Sequence, residues 1–375
     1  MEQKWAADIA EKIKKKERAV VERNRHNVPY LSKDGRFDDW SDRIGWWTNG
    51  FWGGMMWQLY HATKDPIYKE TAEELEQKLD AVLMDYRSMD HDSGFRWLPT
   101  AVADYRLTGA EMSKNRGMLA ASNLAGRFNP EGDFIIAWNA GDHPAVNGWA
   151  IIDCMMNLPL LYWASKESGD PHFAEIAVRH ADTAREHFIR VDGSAKHIVE
   201  FDPITGDENT SHGGQGLAKG SSWTRGQAWA LYGFVLSFLH TNKERFLTTA
   251  EKVADYFVSQ IPESGLIPVD FYQAKDCDFE DDIAACVAAC VAACGFLELA
   301  KVTKEWKKEK YLAAAEKMLR AIDEKSCNYD ENTDHLVERC SQSYHEEGHN
   351  FPIVYADYYY IEAIWKLTGE EIFLW

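Results

Sequence analysis

The chain has 375 residues, a formal net charge of −19, 13% aromatic residues and seven cysteines. A balance this acidic argues against nucleic acid and against an anionic membrane surface as partners. An odd cysteine count excludes a complete disulfide framework and points to reduced thiols.

Residues 1–20, MEQKWAADIAEKIKKKERAV, read as a charged amphipathic helix without the apolar run of a signal peptide, so a soluble cytoplasmic protein is expected. From residue 63 onward one pattern recurs: a helix ends, a small polar turn follows, and a second helix begins. The copies are TKDPIYKETA (63–72), LTGAEMSKNR (107–116), SGDPHFAEIA (168–177), TNKERFLTTA (241–250), VTKEWKKEKYLAAA (302–315) and LTGEEIF (367–373). Their spacing of roughly 45 to 75 residues is that of repeated helix pairs. Segments before the turns, such as FWGGMMWQLYHA and WALYGFVLSFLH, are more apolar than those after them, such as YKETAEELEQKLDAVLMDY. An inner ring of apolar helices and an outer ring of amphipathic ones follows. Six turns predict an all-α (α/α)6 barrel of six helical hairpins, one domain over residues 1–375. An open solenoid is the alternative and would call for a more regular repeat. The longest apolar run, about 283–297, is short for a membrane span and fits a helix buried on all sides. Within it Cys286, Cys290 and Cys294 recur among alanines with no nearby His or carboxylate at a familiar ligand spacing. They read as small packing residues, and no metal is expected.

The segments between pairs hold the polar residues, and loops on a rigid scaffold are where sites are built. Asp153 is the only formal charge between Asp142 and Lys166, in a stretch read as an apolar helix. Desolvation there raises a carboxyl pKa toward the range a general acid needs. Asn157 lies one turn on. Asp92 is a second carboxyl, with His91 beside it. The string DHDSG resembles the start of a calcium loop, but the twelfth position from Asp90 is Ala101 where Glu is required. SSWTRGQAW (221–229) concentrates Trp223, Arg225, Gln227 and Trp229 at a helix start, with Ser221 or Ser222 as N-cap. A guanidinium that forks onto a carboxylate, indole rings and a helix N-terminus together suit an anionic sugar. His197, Gln215, Tyr344 and His345 add neutral donors and acceptors. No P-loop, dinucleotide fingerprint, HExxH or GxSxG is present, so no cofactor is expected.

On these motifs the chain resembles the unsaturated glucuronyl hydrolases of glycoside hydrolase family 88. The likeness is carried by WTNGFW (47–52), HDSGF (91–95), IIDCMMNLPLLYW (151–163), HIVEFDP (197–203), GQG (214–216), SSWTRGQAW (221–229), SYH (343–345) and DYYYIEA (357–363), in the family's order. The resemblance implies the same barrel, Asp153 and Asp92 as catalytic acids, and Trp47, Phe51, His91, His197, Gln215, Trp223, Arg225, Trp229 and Tyr344 as substrate-binding residues. It implies an oligosaccharide with a non-reducing 4,5-unsaturated uronic acid. Protonation at C4 and addition of water at C5 give a hemiketal whose opening loses the glycosidic bond. Asp153 is read as acid and then base, and Asp92 as the group that holds sugar hydroxyls. Two departures stand out. Gly214 occupies a place where the family usually has His, with His212 two residues earlier, and Lys219 replaces a commonly acidic or polar residue. The alternatives are an unsaturated rhamnogalacturonyl hydrolase, a sugar epimerase on the same barrel, and a non-catalytic glycan-binding protein.

Overall fold

The computed structural model describes residues 3–141, 144–274, 286–345 and 349–375. Its helices are α1 (Gln3–Asn24), α2 (Phe51–Thr63), α3 (Pro66–Leu83), α4 (Ser93–Trp97), α5 (Ala103–Thr108), α6 (Glu111–Ala125), α7 (Leu158–Ser168), α8 (Pro171–His187), α9 (Thr224–Thr241), α10 (Glu244–Gln260), α11 (Cys286–Val302), α12 (Glu305–Ser326) and α13 (Val354–Thr368). A π-turn over Leu98–Val102 joins α4 to α5 into one inner element. The inner ring is α2, α4–α5, α7, α9, α11 and α13. The outer ring is α3, α6, α8, α10, α12 and α1. This is the (α/α)6 barrel.

The recurrent turn has a physical basis. Asp65 and Asp170 cap their helices by accepting from the backbone N–H two residues on, and Pro66 and Pro171 occupy first-turn positions whose N–H would otherwise be orphaned. The preceding helices end on left-handed residues, Lys64, Gly109, Gly169, Asn242 and Gly369. The inner/outer distinction also holds. Every residue of α9 from Thr224 to Ser237 is buried, whereas α10 buries one face through Phe246, Leu247, Val253 and Phe257.

The sixth pair differs from the expectation. Among the described residues no helix follows LTGEEIF; residues 370–375 are irregular and bury Leu374 and Trp375, with the Trp375 ring stacked 5.8 Å from Tyr359. The outer partner of α13 is α1, so the N-terminal helix closes the ring. The apolar run begins its described helix at Cys286, its first positions lying outside the described residues, and Cys290 and Cys294 are fully buried. Among the described residues no helix is long and apolar enough to cross a membrane.

Short strands accompany the helices. β1 (Ser32–Lys33) pairs with β2 (Arg36–Phe37), and β3 (Phe128–Asn129) with β4 (Phe134–Ile135). β5 (Trp149–Ile151), β6 (Ile198–Phe201) and β7 (Glu208–His212) form an antiparallel sheet that sets Trp149 opposite Glu200, Ile151 opposite Ile198, and Ile198 opposite His212. The helix expected across residues 148–165 is therefore split. Trp149–Ile151 pairs as a strand, Ile152–Met156 makes a 3-10 turn, and α7 starts beside Pro159, which cannot donate inside a helix.

Candidate active site

The elements deliver their polar residues to one end of the barrel. Trp47 opens the 3-10 turn that runs into α2, and Asp92 is the residue before α4. Asp153 lies in the turn before α7, while Arg225 and Tyr355 are second residues of α9 and α13. A cavity of about 520 Å³ gathers these side chains with Asp90, His91, Trp138, Trp149, His197, His212, Gln215 and Gln342. Several inner helices thus point their N-termini at one space. That supplies favourable potential for an anion inside an acidic protein.

Asp153 has a side chain 14% exposed, and its Oδ1 has no hydrogen-bond partner. Burial raises its carboxyl to about 7 against the opposing pull of the Arg225 cation. Asp92 is 8% exposed; burial, then the nearby Asp90 and Asp153 charges, hold it well above the ordinary carboxylate range. Asn157 ties the two together, its amide donating to Asp92 Oδ1 and to the Asp153 carbonyl at 3.3 Å each, while its own oxygen accepts from Phe95 N–H at 2.7 Å. Asp90 is engaged differently, accepting from buried Arg96 at 2.7 Å and from Asp92 N–H at 2.9 Å.

The His91 and His197 imidazoles are neutral. Burial lowers His91 to about 4 and His197 to about 3. His197 Nδ1 lies 3.0 Å from the Gln215 backbone nitrogen and 3.3 Å from the Gly213 carbonyl, and its Nε2 lies 3.7 Å from Asp153 Oδ1. Arg225 donates to the Ser341 and Gln342 carbonyls at 2.8 Å each, and its guanidinium lies 4.3 Å from the Trp223 ring and 5.6 Å from Tyr355. Its Nε is buried without a partner.

Of the sequence-predicted residues, Asp153, Asp92, Trp47, His91, His197, Gln215 and Arg225 line the cavity. Phe51, Trp223, Trp229 and Tyr344 stand behind it. Phe51 and Trp229 are fully buried in an aromatic floor, each packed on Phe95 at 5.5 and 5.1 Å, and Phe95 in turn contacts Trp47. Trp223 backs His197 at 4.3 Å, and Tyr344 N–H donates to the Gln215 carbonyl. Trp223 is itself the N-cap position of α9, without a side-chain cap bond. Neither serine caps the helix, because both precede the N-cap position: Ser221 Oγ donates to the Asp270 carboxylate at 2.7 Å and Ser222 Oγ to Gln227 Oε1 at 3.5 Å. Gln227 is structural, bonded to the Ala195 N–H and the Gly193 carbonyl. His345 is exposed and bonds the Leu217 carbonyl. Trp138, Trp149, Asp90 and Tyr355 also line the cavity without a sequence signal that marks them, and His212, noted only for its place before Gly214, joins them. Trp149 and His212 meet through strand pairing, and neither WAI (149–151) nor ENTSH (208–212) alternates apolar with polar residues, so no period of two marks them.

A helical barrel with paired buried carboxyls, neutral imidazoles and tryptophans at one mouth defines a carbohydrate-processing enzyme. Residues 10–369 match the family model of Glycosyl Hydrolase Family 88. The chain belongs to that family and is a glycoside hydrolase. It is 34% identical over 332 residues to the unsaturated glucuronyl hydrolase of Bacillus sp. (strain GL1), covering 86% of each chain. It is 32% identical over 324 residues to the unsaturated chondroitin disaccharide hydrolase of Streptococcus pyogenes serotype M1, covering 85% of this chain and 80% of the relative. The crystal structure of the unsaturated glucuronyl hydrolase from Streptococcus agalactiae superimposes with a TM-score of 0.92 at 27% identity, covering 100% of this chain and 94% of that one. Among the described residues no cluster of three or more His, Cys, Asp or Glu side chains is arranged to hold a metal ion.

Proposed function

We propose that Asp153 protonates C4 of a terminal 4,5-unsaturated uronate and then, as a carboxylate, takes a proton from the water that adds at C5. The enzyme releases that uronate from lyase-generated oligosaccharides, with a glycosaminoglycan-type chain as the source. The unsaturated sugar is an enol ether. Protonation at C4 leaves positive charge on C5 that the ring oxygen shares, water adds there, and the hemiketal opens with loss of the glycosidic bond. No displacement occurs at C1, so carboxyl separation does not carry the meaning it has in ordinary glycosidases. The observation that supports Asp153 most is its carboxylate oxygen, buried at the cavity wall without a partner, in a site that favours the protonated form. Asp92, held by Asn157, is suited to hold sugar hydroxyls and to face the developing cation. Trp47 walls the cavity and helps exclude water, strengthening each polar contact.

One domain over residues 1–375 and a cytoplasmic location belong to the same reading; seven cysteines, an odd number, fit a reducing compartment. The deciding experiment is a panel of lyase-generated unsaturated disaccharides, chondroitin-type and pectin-type, followed by the ultraviolet band of the conjugated alkene. Loss of the band with the chondroitin-type sugar supports hydration. Sugar release with the band intact overturns it, and turnover of the pectin-type sugar alone moves the enzyme to the rhamnogalacturonyl branch.

Lys219 bears on the second sugar. It is exposed and donates to Thr210 Oγ1 at 2.6 Å, and Thr210 lies opposite Glu200 in the sheet that carries Trp149. Lys219→Ala is expected to raise KM for sulfated disaccharides a few-fold more than for unsulfated ones. An equal effect on both rules out that role.

A further inference from the structure

Residues 327–344 form a strap from the end of α12 to the cavity, fastened in stages. Near its start Lys16 Nζ donates to the Asp330 carbonyl at 3.0 Å and to Thr333 Oγ1 at 2.9 Å, and Arg23 Nε donates to Asp334 at 2.8 Å. In the middle the backbone N–H groups of Leu336 and Val337 donate to the two carboxylate oxygens of Asp357, at 3.0 and 2.6 Å. At the far end the Ser341 and Gln342 carbonyls receive Arg225, and the Gln342 carbonyl also receives Gln215 Nε2 at 2.9 Å. Two cavity residues from different elements therefore depend on one strap.

Asp357 is fully buried on α13, two residues after Tyr355. From α1, the helix that closes the barrel ring, Lys16 and Glu17 reach the same region, both fully buried. Burial raises Asp357 to about 7 against its two backbone bonds and Lys16; it raises Glu17 as well, with Asp357 adding to the effect. A carboxyl this costly to bury, with both oxygens on consecutive N–H groups of an irregular segment, fixes that segment's path.

We propose that Asp357 is a positioning residue for substrate binding: it holds the strap whose carbonyls orient Arg225 and Gln215 at the cavity. This rests on the assignment of that cavity to an unsaturated uronate.

The test is Asp357→Asn in the full chain, which puts an amide N–H₂ against one of the two backbone donors. KM for an unsulfated chondroitin-type unsaturated disaccharide is expected to rise about tenfold, the effect of one lost buried hydrogen bond, with kcat within a few-fold. A second readout follows from Arg225, whose charge pulls Asp153 down. Asp153 also faces Asp92 and His197, and neither is touched by the substitution. With Arg225 loosened, the alkaline limb of kcat/KM moves to higher pH. A variant with lowered thermal stability but unchanged KM and unchanged limb overturns the proposal. Should Asp357→Asn not fold, Asp357→Glu is read the same way: a smaller KM rise with the limb shifted upward supports the proposal, and wild-type values overturn it. If the unmodified enzyme turns over and the variant matches it, this proposal alone falls. If the unmodified enzyme turns over no unsaturated disaccharide, the hydrolase reading falls with it.

Discussion

Asp153→Asn is expected to lower kcat by about 10²- to 10⁴-fold while KM stays within a few-fold, the range for loss of a positioned general acid–base. The amide is isosteric with the protonated acid, so binding survives and proton delivery does not. Near-wild-type turnover would remove Asp153 from the mechanism. The same residue sets the pH dependence. It must carry its proton to act as the acid, and burial holds that proton until about pH 7. Wild-type kcat/KM should therefore decline as pH rises through about 7, and the residual activity of the variant should lack that limb. Stability carries the mirror image. The folded carboxyl binds its proton more tightly than the unfolded one, so its contribution is fully present at low pH and is lost as pH rises through the folded value. Thermal melts should find Asp153→Asn more stable than wild type by a few degrees at pH 8, with the advantage gone by pH 4. A gap independent of pH would mean that the carboxyl is not desolvated in the free enzyme.

The same desolvation made Asp153 legible from sequence: one charge in a long apolar stretch has few structural explanations. Helix pairs were legible for a related reason, since capping residues and apolar faces are local properties that survive in one dimension. The path of the chain at the mouth was less so. His197, His212 and Trp149 meet because short strands pair over large sequence separations, and each strand alone is too brief to reveal a period of two. The closure of the ring by α1 was hidden for another reason. The sixth turn resembles the others in sequence, and only packing reveals that its outer partner comes from the opposite end of the chain. Phe51 and Trp229 show the limit of composition. Aromatic residues next to a site can be its walls or its foundations, and here they are foundations beneath Phe95 and Trp47.

Gly214→Ala is expected to cost about 10²-fold in kcat/KM, the penalty for displacing a catalytic-site group by about an ångström. Gly214 has φ +58°, and a Cβ built there would stand 2.0 Å from His197 Nδ1 and 2.6 Å from its Cε1. The imidazole also packs on the Trp223 ring, 4.3 Å away, so a Cβ at 214 displaces a ring that is held on more than one side. A displaced imidazole gives up the Gln215 N–H contact at Nδ1, and Nε2 leaves its place 3.7 Å from Asp153 Oδ1. A side chain at position 214 has no room beside His197 as it sits in this chain. Backbone strain alone could mimic a loss of activity, and Gly220→Ala separates the two effects. Gly220 also has a left-handed φ, +92°, but a Cβ there meets nothing within 4 Å. Both variants should lose thermal stability to the forced φ, and only Gly214→Ala should lose kcat/KM by two orders of magnitude. Equal losses of activity would attribute the effect to the loop backbone and remove His197 from the list of groups whose placement the reaction needs.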